Sequence, residues 1–295
     1  GIGRPVRSAR RAQSTLLLDP WGFALTATFE PAGQSVGSWR VHHDALVHLF
    51  YGDAMRAGVT GRTEPHGIFS DLLPAPLGRQ RRGCREGLVP DALLDRRRPG
   101  SDDEWCPHLH DLKIIHMCQT RYTQERVLLA PPAQCAGVRA AAVHGGYLAH
   151  ARSLDARHHA GVADASARPI LQRLLQYPEV RGDCVGAFGE CSSDLHLLLS
   201  DTVRSAAERH WREAGATSAR AAQSVYTAIY RRRWGCETAL QGARLRFARA
   251  YLVSGGDVGG APRGGTRPTF DPGDADHFAA AASPVLRGMP AGQRN

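Results

Sequence analysis

Residues 108–116 read His-Leu-His-Asp-Leu-Lys-Ile-Ile-His and include Lys113, the only lysine in a chain of 295 residues. The surrounding segment, residues 106–118, is predicted to be a β-strand that forms an antiparallel pair with the apolar run at residues 87–95. Because side chains alternate along a strand, Asp111 and Lys113 are expected on one face, about 7 Å apart, and His108, His110 and His116 on the other. The stretch therefore predicts a strand that presents a carboxylate beside an ammonium group.

The single lysine is informative because every other member of the Lys+Arg total of 37 is arginine. Arginine supplies positive charge equally well, but it cannot be deprotonated and presents a planar fork in place of a compact ammonium. Lys113 is therefore predicted to have a role that arginine would not fill. The alternative is a chance lysine on a surface strand.

Charge and cysteine content favour an intracellular protein that binds a polyanion. The formal net charge is +9 and the isoelectric point is near 9.6, which favours nucleic acid as a partner. Seven cysteines form no Cys-x-x-Cys pair, as expected in a reducing compartment, which in a eukaryote would be the nucleus. No apolar run approaches the roughly 18 residues of a membrane span, so no membrane partner is expected. The sequence starts Gly-Ile-Gly, as a fragment of a longer chain would.

The order of elements predicts a mixed α/β fold with four segments. Residues 1–38 form a basic arm and a strand segment, and residues 39–214 form a domain in which helices flank a mixed sheet. This domain has the order helix from Asp44, about three strands, helices near 138–157 and 166–177, a strand at 180–190 and a helix at 193–214. Residues 215–253 form a basic module of two helices joined at Gly235, and residues 254–295 form a disordered tail.

A second carboxylate is expected beside Asp111. The hairpin pairing brings Pro90-Asp91 across from it, so two carboxylates and one ammonium lie on neighbouring strands. Carboxylate oxygens are the ligands that Mg²⁺ prefers, and Mn²⁺ accepts the same ligands. Lys113 would orient or deprotonate a metal-bound water. The competing interpretation is a buried ion pair plus a turn aspartate.

Pro90-Asp91, nineteen intervening residues and Asp111-Leu112-Lys113, in this order of elements, resemble the PD-(D/E)xK superfamily of restriction-endonuclease-like nucleases. The resemblance implies a restriction-endonuclease-like fold, with Asp91 and Asp111 as metal ligands and Lys113 as the catalytic lysine. It also implies a further acidic ligand, for which Asp44 is preferred over Asp71, although a helix N-cap is the simpler interpretation of Asp44. Asp replaces the commoner Glu at position 111, which shortens the reach to the metal.

A second resemblance covers more of the chain. Blocks such as His-His-Asp-Ala-Leu-Val-His-Leu-Phe at residues 42–50 and Gly-Ala-Phe-Gly-Glu-Cys-Ser-Ser-Asp at residues 186–194 look like segments of largely unannotated proteins encoded with mobile elements, often downstream of a reverse transcriptase. The resemblance implies a retrotransposon-associated nuclease that cuts target DNA, or an RNA/DNA hybrid.

Arginine is concentrated in residues 204–249, which contain ten arginines and three glutamates. Such a cluster predicts phosphate contacts, although a solvated helical face has the same composition. A helix-turn-helix around Gly235 is a further possibility, with Thr238, Gln241 and Arg249 outward. The predicted nucleic-acid-binding residues are Arg231, Arg232, Arg233, Arg244, Arg246 and Arg249.

Two further sets of residues invite site predictions. A zinc site would need His108 and His110 to chelate with a distant partner such as Cys135, because the ends of strand 106–118 lie about 40 Å apart. Ordinary strand histidines are the simpler interpretation. Gln134 and Tyr147 could contact DNA near the carboxylates, or be surface and core residues.

The sequence thus predicts a metal-dependent DNA endonuclease. Motifs of serine hydrolases, P-loop NTPases and dinucleotide-binding dehydrogenases are missing from the sequence. The rival prediction is a non-catalytic nucleic-acid-binding protein on a decayed nuclease fold. A third prediction is a degenerate mobile-element remnant with no activity.

Overall fold

The computed structural model describes residues 38–65, 67–73, 88–97, 105–115, 132–160, 168–187 and 189–253. The described residues belong to one compact unit that ends at Ser254. The predicted arm and strand before Ser38 and the predicted disordered tail lie outside the described residues.

A four-stranded mixed sheet lies between two groups of helices. Its strands are β1 (Gly61–Thr63), β2 (Ala92–Arg97), β3 (Trp105–Ile115) and β4 (Val180–Gly186), in the spatial order β1-β2-β3-β4. The first three run antiparallel, and β4 is parallel to β3. The helices are α1 (Trp39–Ala57), α2 (Pro132–His158), α3 (Pro169–Leu174), α4 (Ser193–His210) and α5 (Ala219–Val253). The predicted mixed α/β class and the order of elements from residue 39 to residue 210 are confirmed.

Alternation along β3 divides the core between the two faces of the sheet. Leu112 packs with Leu46 and Phe50 of α1 and Leu198 of α4. Leu109 packs on the opposite face in a cluster that includes Leu154 of α2. Each face is covered by apolar helix surface, which accounts for the burial of β3.

Helix α1 begins earlier than its apolar periodicity indicated. Ser38 is the N-cap, and its hydroxyl accepts a hydrogen bond from Val41 N. Asp44 therefore lies in the second turn of the helix, and its predicted role as an N-cap is wrong. The helix ends as predicted at Gly58, whose φ of 108° is left-handed and favours glycine.

Helix α5 runs without a break for 35 residues through Gly235, so the predicted turn there is wrong. Two long-range contacts hold this part of the helix against α1. Arg233 Nε lies 2.7 Å and Trp234 Nε1 3.0 Å from Asp53 Oδ2, and Trp234 also packs on Phe50. A glycine within a helix costs about 1 kcal/mol relative to alanine, which these buried contacts offset.

Candidate active site

Asp91 and Asp111 are cross-strand neighbours. Asp91 comes just before β2, whose first residue Ala92 pairs with His110 of β3. Asp91 N donates to His110 O at 2.9 Å, one residue out of step with that register. The Asp91 side chain then replaces the next carbonyl of the ladder, since Leu112 N donates to Asp91 Oδ2 at 2.7 Å. Both carboxylates are buried.

Burial makes this carboxylate pair costly to keep ionised. Burial raises the pKa of the Asp111 carboxyl, the nearby charge of Asp91 raises it further, and Lys113 lowers it. Lys113 forms an ion pair with Asp111 Oδ2, and about a third of the lysine side chain (35%) is exposed to solvent. The pair therefore attracts a cation, and the ammonium already beside it lies where solvent can enter.

His43 of α1 fixes the orientation of Asp91. Its Nε2 lies 3.0 Å from Leu112 O and 3.2 Å from Asp91 Oδ2. Because a carbonyl and a carboxylate can only accept, Nε2 must carry a hydrogen. The sequence analysis missed His43, although the residue stands next to the predicted ligand Asp44.

Asp44 is linked to the carboxylate pair through the same imidazole. Its carboxylate lies 3.6 Å from His43 Nδ1 and 3.7 Å from Arg40 Nε. Asp71, the other sequence candidate, instead accepts two hydrogen bonds from Arg173, at 2.7 and 3.0 Å. Of the two candidates for a third acidic residue, Asp44 therefore lies near the site and Asp71 is paired elsewhere.

Tyr147 of α2 contacts the oxygen of Asp111 that Lys113 does not. Its hydroxyl lies 3.2 Å from Asp111 Oδ1 and 3.4 Å from Val89 O. The hydroxyl has two acceptors within reach, so it constrains the orientation of the carboxylate. The side chain of Gln134 lies outside the described residues.

The residues present suit an ion that prefers oxygen ligands. Mg²⁺ is commonly bound by one or two carboxylates, with water and substrate phosphate completing its coordination. Asp91 and Asp111 provide such a pair, and Asp111 Oδ2 is buried with the Lys113 ammonium as its neighbour. In the described part of the chain, no group of three or more His, Cys, Asp or Glu side chains is arranged to hold a metal. A bound Mg²⁺ or Mn²⁺ would thus depend on water and substrate for its remaining ligands.

The structure does not bring together the residues of the predicted zinc site. His110 turns to the α1 face, where its Nδ1 lies 2.8 Å from Asp183 Oδ2 and its ring packs on Tyr51. His108 Nε2 lies 3.1 Å from Cys106 Sγ of the same strand. Cys135 belongs to a different cluster, with Ile115 on the α2 side. The strand-histidine interpretation accounts for both histidines.

The six predicted nucleic-acid-binding arginines of α5 have different surroundings. Arg249 is fully buried with its guanidinium 4.4 Å from the Trp39 ring centre, so its predicted outward position is wrong. Arg233 pairs with Asp53. Arg246 is half-buried, and the exposed members of the set are Arg231, Arg232 and Arg244. A phosphate-binding surface on α5 would therefore rest on the last three.

Comparison of the chain with family models, curated proteins and solved structures finds no match. In the described part of the chain, no helix has the length and apolar character needed to cross a membrane.

Proposed function

We propose that the chain is a metal-dependent DNA endonuclease of the restriction-endonuclease-like class, associated with a mobile element. The observation that supports it is the cross-strand pair Asp91 and Asp111, with the only lysine of the chain ion-paired to Asp111. A mixed sheet between helices is compatible with that class. The substrate would be DNA or an RNA/DNA hybrid, bound in a reducing intracellular compartment such as the nucleus.

Each polar side chain near the carboxylates has a distinct part in this proposal. Asp91 and Asp111 hold Mg²⁺ or Mn²⁺, which when bound polarises a phosphoryl oxygen and acidifies water. His43 and Tyr147 keep the two carboxylates in position through the contacts at Asp91 Oδ2 and Asp111 Oδ1.

Lys113 serves the phosphate. Its partly exposed ammonium donates to the attacking water and to the phosphoryl oxygens, which gain charge in the transition state. The water oxygen forms a bond to phosphorus as the bond to one sugar oxygen breaks. The water gives up a proton to solvent, and the departing sugar oxygen acquires one from solvent.

The test is nicking of supercoiled plasmid by the purified chain with Mg²⁺ or Mn²⁺, with an EDTA control. Asp91→Asn, Asp111→Asn and Lys113→Ala are each expected to lower the rate about 10²-fold or more. Asp71→Asn is the matched control, because it also removes a carboxylate but one paired to Arg173 at the surface. Nicking that persists at the wild-type rate in all three site variants would refute the proposal.

A non-catalytic nucleic-acid-binding protein on a decayed nuclease fold is the second candidate. The exposed arginines of α5, Arg231, Arg232 and Arg244, support it because they are available to phosphates. This candidate predicts a gel shift without cleavage, unchanged by Lys113→Ala and weakened by substitution of the three arginines.

A further inference from the structure

A groove with a volume of about 520 Å³ lies at the carboxyl ends of the parallel strands β3 and β4. Ile114 and Ile115 line it at the end of β3, and Gly186 and Ala187 line it at the end of β4. Ligands of open α/β sheets bind outside the carboxyl ends of parallel strands, and volumes of roughly 300–1,000 Å³ are typical of small-molecule sites. The position and the volume of the groove therefore both suit a small ligand.

The groove is long and follows α5. Its lining residues on this helix run from Arg231 to Arg246, a distance of about 22 Å at the helical rise of about 1.5 Å per residue. The aromatic side chains of Trp39, Phe50 and Trp234 form part of its wall. A groove of this length with apolar walls suits an extended hydrocarbon chain better than a compact ring.

Small residues of α5 leave the groove open. Gly235, Ala239 and Gly242 line it and recur every three or four residues, which places them on one face of the helix. Outside the helix backbone, a Cβ added at Gly235 meets nothing within 4 Å, and one added at Gly242 meets only the Arg246 guanidinium, at 3.6 Å or more. Close packing therefore requires neither glycine, although glycine is unfavourable within a helix. What the two glycines provide is the free space beside them.

Positive charge is concentrated at one end of the groove. Arg246 is half-buried in the lining, and its guanidinium lies beside Gly242. Arg249, one turn further along α5, is buried with its guanidinium 4.4 Å from the centre of the Trp39 ring, which also lines the groove. Arg246 forms no salt bridge with the carboxylates that the structure describes, and none of the described lining residues is acidic. This end of the groove therefore favours an anionic group.

We propose that the groove binds a long-chain carboxylate. The hydrocarbon chain lies along α5 among Trp39, Phe50 and Trp234, and the carboxylate pairs with Arg246. Charge complementarity supports an anionic occupant, and the length and apolar walls of the groove support an extended chain.

The test measures binding by tryptophan fluorescence, because Trp39 and Trp234 line the groove. The full chain in EDTA is titrated below micelle-forming concentrations with laurate, with the shorter octanoate, and with dodecanol, which matches laurate in chain length and carries no charge. We expect saturable binding of laurate, roughly tenfold or more tighter than octanoate because each buried methylene contributes. Laurate should also bind roughly fivefold or more tighter than dodecanol. Equal affinity for laurate and dodecanol, or no saturable binding of laurate, would overturn the proposal.

Arg246→Gln tests the contact with the carboxylate. It should lower the affinity for laurate roughly fivefold or more and leave the affinity for dodecanol unchanged. Arg231→Gln is the matched control, because it removes the same charge from an exposed position at the other end of the groove. If both variants lower the affinity for laurate equally, binding reflects the overall positive charge of the chain and the proposal is wrong.

Gly235→Leu tests whether the ligand occupies the groove. It fills free space and replaces glycine by a better helix former, so it should weaken laurate binding roughly tenfold or more without lowering the melting temperature. Gly145→Leu is the control, since a Cβ added there also meets nothing within 4 Å and the residue lies in α2, away from the groove. Two outcomes contradict the proposal: laurate binding that Gly235→Leu leaves unaltered, and binding to anionic phospholipid vesicles without binding of free laurate.

The ligand groove and the proposed nuclease can fail separately. Ile114 packs on the α1 face of the sheet, whereas alternation along β3 places Asp111 and Lys113 on the α2 face. Laurate binding in EDTA should therefore be unchanged by Asp111→Asn. Laurate binding without plasmid nicking would refute only the nuclease, and nicking without laurate binding would refute only the ligand of the groove.

Discussion

Asp111→Asn is expected to abolish nicking and to make the fold more stable. Asp111 is buried opposite Asp91, and burial and the Asp91 charge both raise its pKa. A raised pKa means that the ionised carboxylate costs folding free energy at pH 7. Asparagine has nearly the same shape and no charge, and its carbonyl oxygen can still accept from Tyr147.

The magnitude follows from three contributions. Removing the like charge opposite Asp91 gains roughly 0.2–1 kcal/mol. Losing the ion pair with the partly exposed Lys113 costs a similar amount, roughly 0.2–1 kcal/mol. These two contributions nearly cancel, and the variant also no longer has to bury a charge. We therefore expect the free energy of unfolding of Asp111→Asn to rise by about 1 kcal/mol, or the Tm by roughly 2–4 °C.

The assay is urea unfolding and thermal unfolding at pH 7.5 in EDTA, both monitored by circular dichroism. Replacing EDTA with Mg²⁺ should raise the Tm of the wild type and not that of Asp111→Asn, because a bound ion stabilises only the state that binds it. Asp183→Asn is the control, since that buried carboxylate accepts from Tyr51 at 2.9 Å and lies 2.8 Å from His110 Nδ1, and its loss should destabilise. If Asp111→Asn were destabilised by more than about 1 kcal/mol, the carboxylate would be a structural ion-pair partner.

Three other expectations concern α5 and the buried histidine. Asp53→Ala should cost about 2–4 kcal/mol in urea unfolding, because it removes the acceptor that anchors α5. The pKa of His42 is about 4 in the folded state and 6.5 in the unfolded state. The neutral ring therefore contributes its full stability above pH 6.5, and the free energy of unfolding falls by up to about 3 kcal/mol as the pH drops to 4. His42→Phe should reduce this dependence of stability on pH. In DNA titrations, Arg232→Gln with Arg244→Gln should lower the salt slope by about 2, whereas Arg249→Gln should lower stability instead.

The sheet that positions the candidate site was predictable because its pattern is local. Strand alternation placed Asp111 and Lys113 on one face of β3 and His110 on the other, as the contacts of Leu112 and Leu109 with opposite clusters confirm. The predicted hairpin between β2 and β3 is present, and it brings Asp91 beside β3, where its carboxylate accepts from Leu112 N. These inferences needed only residues close in sequence.

The errors concern contacts between distant residues. Gly235 predicts a turn locally, but Trp234 bonds to Asp53, 181 residues away, and the helix continues. Arginine is usually a surface residue, yet Arg249 is buried with its guanidinium over the Trp39 ring. His43 was missed because its partners, Leu112 and Asp91, come from other elements. Tertiary contacts decided each case against local propensity.

Asp183 of β4 lies on the α1 face of the sheet and Asp111 of β3 on the α2 face, and the surroundings of these two buried carboxylates differ. Asp183 on the α1 face is enclosed, with the Tyr51 hydroxyl and the His110 ring nitrogen as its partners. Asp111 on the α2 face has a raised pKa, a second carboxylate opposite and a lysine that extends to solvent. Two carboxylates side by side in the core are costly to keep ionised, and the raised pKa of Asp111 indicates that Lys113 and His43 offset only part of that cost. On the proposed function, a cation that arrives with the substrate would offset the remainder.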